Sequence, residues 1–245
     1  MARFCVILPA AGASRRFGDQ HTKKQYASLE GRAVWLHTAE RFLNRPDVVQ
    51  TILVIAPEDK ELFQRKFAPD VAFLGIRVVT GGATRAESVR RGLEQVPEEA
   101  THVCVHDAVR PCLAEAWVDR VFQKAEQTGA ALLAVPVADT LKRVEDQRVL
   151  QTVSRGGLWA AQTPQVFEKQ LLQDAYARLQ DQQVTDDAQV VELAGGKVHV
   201  VPGSPLNLKI TTRDDLKLAQ AVLKVLPRPR PQGPAHPFAG DDLWR

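Results

Sequence analysis

Short apolar runs recur along this chain, each separated from the next by a stretch with helical periodicity, and few folds accommodate that rhythm. Phe4 to Leu8, Thr51 to Ile55, Gly75 to Val79, His102 to His106, Ala131 to Val137 and Lys197 to Val201 read as strands. Between them, Trp35, Ala39 and Phe42 share one helical face, as do Ala86, Val89, Leu93 and Val96. Trp117, Val121 and Ala125 mark a further helix, and residues 215–225 a last one. Thr84 with Glu87 three residues later predicts a capping box at the start of the second helix. Strand and helix in alternation predict an α/β fold, a Rossmann-like and mostly parallel sheet flanked by helices.

Two segments depart from the rhythm. Residues 138–157 are polar, lack a helical stripe and carry two β-like runs around Glu145-Asp146-Gln147, which predicts a protruding hairpin. Residues 226–245 hold five prolines and little that could pack, so a disordered, dispensable tail is expected there. The longest apolar stretch, near Ala130 to Ala138, is about half of the ~18 residues a membrane helix needs, so no membrane span is expected. Arg3 followed by Phe4 to Ala11 superficially matches a short signal peptide, but the run fits better as a buried strand ending in a turn, which implies a cytoplasmic protein. Cys5, Cys104 and Cys112 are odd in number and form no CxxC pair, as expected of buried free thiols in a reducing compartment.

In an open parallel sheet, ligands sit beyond the carboxyl ends of the strands. Pro9-Ala10-Ala11-Gly12-Ala13-Ser14-Arg15-Arg16 follows the first strand, and its small residues would let backbone N–H groups approach a phosphate. It is neither a Walker A motif nor GxGxxG, so a plain tight turn stays open on pattern alone. Asp107 and Arg110 follow the fourth strand, where a carboxylate can hold a ribose hydroxyl or a hydrated Mg²⁺; a structural ion pair is the plainer reading. His102 and His106 would lie about 13 Å apart on a strand, too far to share a metal. Arg16, Lys24, Arg85, Arg155 and Lys209 recur at loop positions beside strand ends, which favours a phosphate-rich substrate. The excess of 32 basic over 29 acidic residues is too small to imply nucleic acid, and neither a sustained basic stripe nor an aromatic stacking platform is present.

The motifs become specific in combination. PAAGASRRF, Lys24-Gln25-Tyr26, the glycine pair and serine of residues 81–89, VHDAVRP at 105–111, DT-x-KR at 139–143, QTPQ-x-F at 162–167, TDDA at 185–188 and Asn207 to Thr211 occur in one order. That series resembles the 2-C-methyl-D-erythritol 4-phosphate cytidylyltransferase family over residues 4 to about 225. The resemblance implies one cytidylyltransferase domain over 1–225, with CTP and a polyol phosphate as substrates and Mg²⁺ or another divalent cation, held mainly by the nucleotide, as cofactor. Arg16 and Lys24 match the basic pair on the triphosphate. Ala10, Ala11, Gly12, Gly82, Ser88 and Asp107 match nucleotide-binding positions. Arg110, Thr140, Arg155, Thr185 and Lys209 match positions that hold the sugar phosphate, with Arg155 and Lys209 aiming it for attack. It further implies a homodimer whose 138–157 arms cross, so that Thr140 and Arg155 complete the partner's site. Ala83 departs from the family, which often has an acid there, and Ser14 stands where a glycine is frequent. A cytidylyltransferase for ribitol 5-phosphate or another polyol phosphate, and a non-catalytic nucleotide-binding homologue, are the competing readings.

Overall fold

The computed structural model describes residues 1–18, 22–180 and 182–227. Strand β1 (Phe4–Pro9) leads through single 3-10 turns at Arg15–Phe17 and Lys24–Tyr26 into a small hairpin, β2 (Ser28–Leu29) and β3 (Arg32–Ala33). Then follow α1 (Val34–Leu43), β4 (Val48–Ile55), a 3-10 turn at Pro57–Asp59, α2 (Lys60–Leu74), β5 (Arg77–Thr80) and α3 (Arg85–Leu93). The second half runs β6 (His102–Val105), α4 (Glu115–Thr128), β7 (Ala130–Pro136), β8 (Leu141–Glu145), β9 (Arg148–Val153) and β10 (Trp159–Glu168). It closes with α5 (Lys169–Arg178), α6 (Asp187–Leu193), β11 (His199–Pro202) and α7 (Arg213–Val225).

Seven strands form one sheet in the order β11-β7-β10-β6-β1-β4-β5, and only β10 runs antiparallel to its neighbours. All six strands read from the apolar runs are present, each with bounds shifted by a few residues. β1 lies between β4 and β6 with Phe4 to Leu8 at most 2% exposed. Its side chains alternate between two cores. Phe4, Val6 and Leu8 join Trp35, Phe42 and Phe122 on one face; Cys5 and Ile7 join Val89, Leu93 and Tyr176 on the other. A third cluster, including Phe17, Leu29, Val34, Ile210 and Val222, fastens α7 over the β2–β3 hairpin and so fixes the loop that carries Lys209. All three cysteines are buried free thiols, and no helix among the described residues is long and apolar enough to cross a membrane.

The sequence pattern does not show β10, α2, α5 or α6. β10 contains QTPQ, whose polar residues hide a strand that is nevertheless buried through its second half. α2 buries only Phe63 and Phe67 and contains Pro69, so its apolar face is too narrow to register as a helix. The capping box at α3 is only half made. Thr84 accepts from the Glu87 N–H at 3.1 Å, but the Glu87 carboxylate accepts from Ala83 N–H at 2.7 Å instead of from Thr84. The complete reciprocal box is Thr212 with Asp215, at the start of α7.

The 138–157 arm is a hairpin of β8 and β9 that pairs only with itself. Its turn places both Asp146 (φ 47°) and Gln147 (φ 65°) in the left-handed region, as the tight hairpin connections favoured by strand twist require. Of the expected Pro-rich tail, residues 228–245 lie outside the described residues, while Leu226 is half-buried against the core and belongs with α7.

At Gly92, α3 packs directly on the sheet: a Cβ there would stand 2.9 Å from Ile7 Cγ2 and 3.3 Å from Val54 Cγ2. Alanine would gain about 1 kcal/mol of helix propensity, against an overpacking cost of about 1–3 kcal/mol. The expected outcome for Gly92→Ala is net destabilisation with an unchanged denaturant slope, measured by urea unfolding.

Candidate active site

The carboxyl ends of β1, β5 and β6 open onto a cleft of about 320 Å³. One wall is the loop after β1. It contains few side-chain anchors of its own and is held from outside by Gln25, a 1% exposed residue of the 3-10 turn. The Gln25 amide nitrogen donates to the Ala10 carbonyl at 2.7 Å and the Gly12 carbonyl at 3.2 Å, and its oxygen accepts from Ser14 Oγ at 3.1 Å. Ser14 adopts φ 55°, the left-handed region that glycine enters without strain, which gives a backbone reason for glycine at this place. The same hydroxyl accepts from the Lys24 N–H at 3.1 Å, tying the loop to the turn that presents Lys24.

The opposite wall is the start of α3. Ser88 is 1% exposed; its hydroxyl donates to the Thr84 carbonyl at 2.9 Å and accepts from Gly82 N–H at 3.2 Å, bracing the glycine pair. Both glycines are closely packed: a Cβ at Gly81 would stand 2.6 Å from Ser88 Oγ, and one at Gly82 would stand 2.6 Å from Glu87 Cβ.

The floor is organised by Asp107. Lys209 Nζ lies 2.7 Å from its Oδ2, Arg110 Nε 3.6 Å from the same oxygen, and Arg85 Nε 3.4 Å from Oδ1. Burial alone would raise the Asp107 pKa, but the Arg85, Lys209 and Arg110 charges override it and hold the carboxyl well below the usual range. Arg85 reaches on to Asp187 at 2.7 Å, a fully buried carboxylate that also accepts from the Tyr176 hydroxyl at 2.6 Å. Burial opposes the Arg85 charge, but Asp187 and Asp107 together raise its pKa above the ordinary value. Lys24 behaves oppositely. Burial, then the nearby Lys209 and Arg16 cations, lowers its pKa despite Asp107.

Beneath Asp107 lies a buried relay. The Asp107 N–H donates to Thr163 Oγ1 at 3.0 Å, and the Thr163 hydroxyl lies 3.1 Å from His106 Nδ1. His106 Nε2 is 3.1 Å from the Arg110 carbonyl, which can only accept, so Nε2 carries the proton and Nδ1 accepts from Thr163. Burial lowers the His106 pKa to about 4 and keeps the ring neutral.

Of the residues expected at the site, Ala10, Ala11, Gly12, Lys24, Ser88, Asp107 and Lys209 line this cleft. Arg16 lines the adjoining pocket together with Gly12, Lys24 and Thr211. Arg110 stands below the floor, donating through Nη1 to the Asn207 carbonyl at 2.7 Å. Gly82 lies behind the rim under Glu87. Thr185 precedes α6, where its hydroxyl donates to Gln189 Oε1 at 3.1 Å. Thr140 and Arg155 are exposed at the base of the arm and do not line the cleft of their own chain. Sequence reading gave no role to Gln25, Asp187 or Tyr176, and it noted Arg85 only as one loop cation. The TDDA and KQY motifs that contain Asp187 and Gln25 were the available signal.

The sequence model of the family described as 2-C-methyl-D-erythritol 4-phosphate cytidylyltransferase matches residues 4–225. The enzyme of that name from Rhodopirellula baltica is 43% identical over 233 residues, covering 91% of this chain and 95% of its own length. Its namesake from Laribacter hongkongensis is 45% identical over 227 residues, covering 91% and 97%. Among solved structures, that of the enzyme from Thermus thermophilus superposes with a TM-score of 0.75 at 32% identity, covering 89% of this chain and 98% of that one. A 4-diphosphocytidyl-2C-methyl-D-erythritol synthase superposes with a TM-score of 0.77 at 35% identity, covering 91% and 99%.

His106 sets a pH limit on the fold. Its folded pKa, about 4, lies below the ordinary 6.5, so the unfolded chain binds the proton first. The stability it contributes is complete above pH 6.5 and is lost as pH falls toward 4, by up to about 3 kcal/mol. The expected result is a melting temperature that declines over this window, with a shallower decline in His106→Gln, read by calorimetry across a pH series.

Proposed function

The chain belongs to the 2-C-methyl-D-erythritol 4-phosphate cytidylyltransferase family, and we propose that the cleft on Asp107 carries out the family's transfer in the following way. CMP passes from CTP to 2-C-methyl-D-erythritol 4-phosphate, giving 4-diphosphocytidyl-2-C-methyl-D-erythritol and pyrophosphate. A phosphate oxygen of the sugar phosphate forms a bond to the α-phosphorus, and the bond to the bridging oxygen breaks as pyrophosphate leaves. With a second pKa near 6, the attacking phosphate is mostly dianionic at neutral pH and needs no general base. His106 fits that economy: both its ring nitrogens are engaged and it has no access to the cleft.

What the protein supplies is position and positive charge. The observation that carries the reading is the convergence of Lys24 and Lys209 on one cleft, with Arg16 in the pocket beside it. Lys24 and Arg16 meet the charge that grows on the triphosphate. Lys209, held on Asp107, meets the sugar phosphate, with Arg110, Thr185, Thr140 and Arg155 as further contacts. The loop at Ala10 to Gly12, Gly82 and Ser88 receive the nucleotide, and the Ser88–Gly82 bond shapes that end of the cleft.

Mg²⁺ enters this reading as part of the nucleotide. The carboxylates lining the cleft are Glu58 and Asp107, and both are engaged by cations: Glu58 by Lys23 at 2.8 Å, and Asp107 by Lys209 and the two arginines. Among the described residues no group of three or more His, Cys, Asp or Glu could hold a metal ion. The ion would therefore neutralise phosphate charge from the nucleotide side.

The arm supports a homodimer. Val144, Val149 and Leu150 on the hairpin are each more than half exposed, and an isolated two-stranded hairpin is marginal in water. Crossed arms would cover these side chains and bring Thr140 and Arg155 to a partner's cleft. The buried free thiols accord with a cytoplasmic enzyme.

Pyrophosphate release with CTP and Mg²⁺, run against 2-C-methyl-D-erythritol 4-phosphate and ribitol 5-phosphate in parallel, tests the substrate. Preference for the ribitol compound would overturn the assignment. Lys24→Ala should lower kcat on the order of 10³-fold, about 4 kcal/mol of transition-state stabilisation; a loss below tenfold would remove it from the chemistry. Lys24→Ala and Arg155→Ala subunits, each inactive alone, should regain activity when coexpressed as heterodimers, because one hybrid site has both wild-type residues. Heterodimers no more active than either parent would rule out sharing of the site.

A further inference from the structure

Lys24 stands between two side chains that are tied to the same carboxylate. Lys23 Nζ lies 2.8 Å from Asp59 Oδ1, and the Tyr26 hydroxyl donates to Asp59 Oδ2 at 3.0 Å. Asp59 is 6% exposed and Tyr26 5% exposed, so the clamp is inside the protein. Lys23 also reaches Glu58 at 2.8 Å. The Tyr26 ring packs against Phe63 and Phe67 of α2, which leaves its hydroxyl little freedom to find another partner.

The placement of Asp59 is unusual for its position. It occupies the N-cap of α2, where an aspartate normally accepts from the first-turn N–H groups. Here its side chain makes no such bond and points at the Lys24 turn instead. The turn itself is a single 3-10 unit of three residues, too short to hold its shape by its own hydrogen bonds. Gln25 fixes it to the loop after β1, and Asp59 fixes it to the loop after β4. Together the two anchors hold Lys23, Gln25 and Tyr26, the neighbours of Lys24, whose side chain lines the cleft.

We infer that Asp59 is a positioning residue for the transfer reaction, acting through Lys23 and Tyr26 to hold the Lys24 ammonium where the triphosphate charge develops. This rests on the role given to Lys24 above. Asp59 itself does not line the cleft. Because a misplacement of about 1 Å can cost on the order of 10²-fold in rate, loss of the clamp should act on turnover and much less on nucleotide binding.

The test is a kinetic cycle on the full-length enzyme with CTP, Mg²⁺ and 2-C-methyl-D-erythritol 4-phosphate, comparing wild type, Asp59→Ala, Lys24→Ala and the double variant. Asp59→Ala should lower kcat on the order of 10²-fold, with KM for CTP within about threefold of wild type. The double variant should be no slower than Lys24→Ala alone, since two residues acting through one ammonium are not additive. Asp59→Asn, which keeps an acceptor for the Tyr26 hydroxyl, should recover part of the loss. Lys23→Ala and Tyr26→Phe, each deleting one donor to the clamp, should each give a smaller fall in kcat and stand in should Asp59→Ala fail to fold. Turnover within about twofold of wild type in Asp59→Ala, or in both donor variants, would overturn the proposal. So would an Asp59→Ala loss of equal factor with and without Lys24, which marks general damage to the fold. Near-normal turnover of Lys24→Ala alone would instead overturn the role of Lys24, and that single variant separates the two failures.

Discussion

Asp107 is a carboxylate with almost no access to water, and the cleft is arranged around the need to compensate it. An ion of that size loses several kcal/mol of hydration on burial unless it is paired. Its three cations come from different parts of the chain: Arg85 opens α3, Arg110 follows β6, and Lys209 precedes α7. Satisfying one charge therefore brings three loops to a common point. The arrangement is also ordered from within. Arg85 is shared with Asp187, so the carboxylate that serves the cleft and the one buried at the start of α6 hold the same guanidinium.

A second layer of polar groups fixes these loops from below, and strand β10 supplies most of it. Gln165 accepts from the Asp187 and Ala188 N–H groups at the start of α6 and donates to Asp186. Gln162 donates to the Ser204 carbonyl, and Asn207 donates to Gln162 and to the Thr163 carbonyl. Thr163 holds the Asp107 backbone and the His106 ring. Buried polar groups are tolerable only when bonded, and here each bond ends on a segment that borders the site. The polar character of this central strand is the means by which α6 and the Lys209 loop are placed.

Charge is distributed unevenly across the cleft. Lys209 is neutralised by a direct ion pair, whereas burial and neighbouring cations make the protonated form of Lys24 less favourable than in water. A phosphate-rich ligand relieves that repulsion. The electrostatics of the site thus suit a polyanion, and no histidine or nucleophile is needed to explain its chemistry.

The sequence by itself determined the parallel α/β frame, because strands covered on both faces must be apolar and the helices between them must carry one apolar stripe. It likewise marked the loop after β1, Lys24, Asp107 and Lys209, whose small or charged residues stand out at strand ends, and the arm, whose polar pattern excludes a core position. The family resemblance added roles that spacing could not. Only the tertiary structure decided the insertion of β10 between β6 and β7, since a strand whose polar side chains are satisfied by distant partners shows no apolar run. The same holds for Arg85 and Asp187, which lie 102 residues apart and meet only once the sheet is built. It holds for Asp59, which precedes a helix that the sequence pattern does not show and whose side chain is turned by packing toward Tyr26. A local pattern records which residues must be buried or exposed; which buried charge faces which is set by the order of strands, and that order is a property of the assembled sheet.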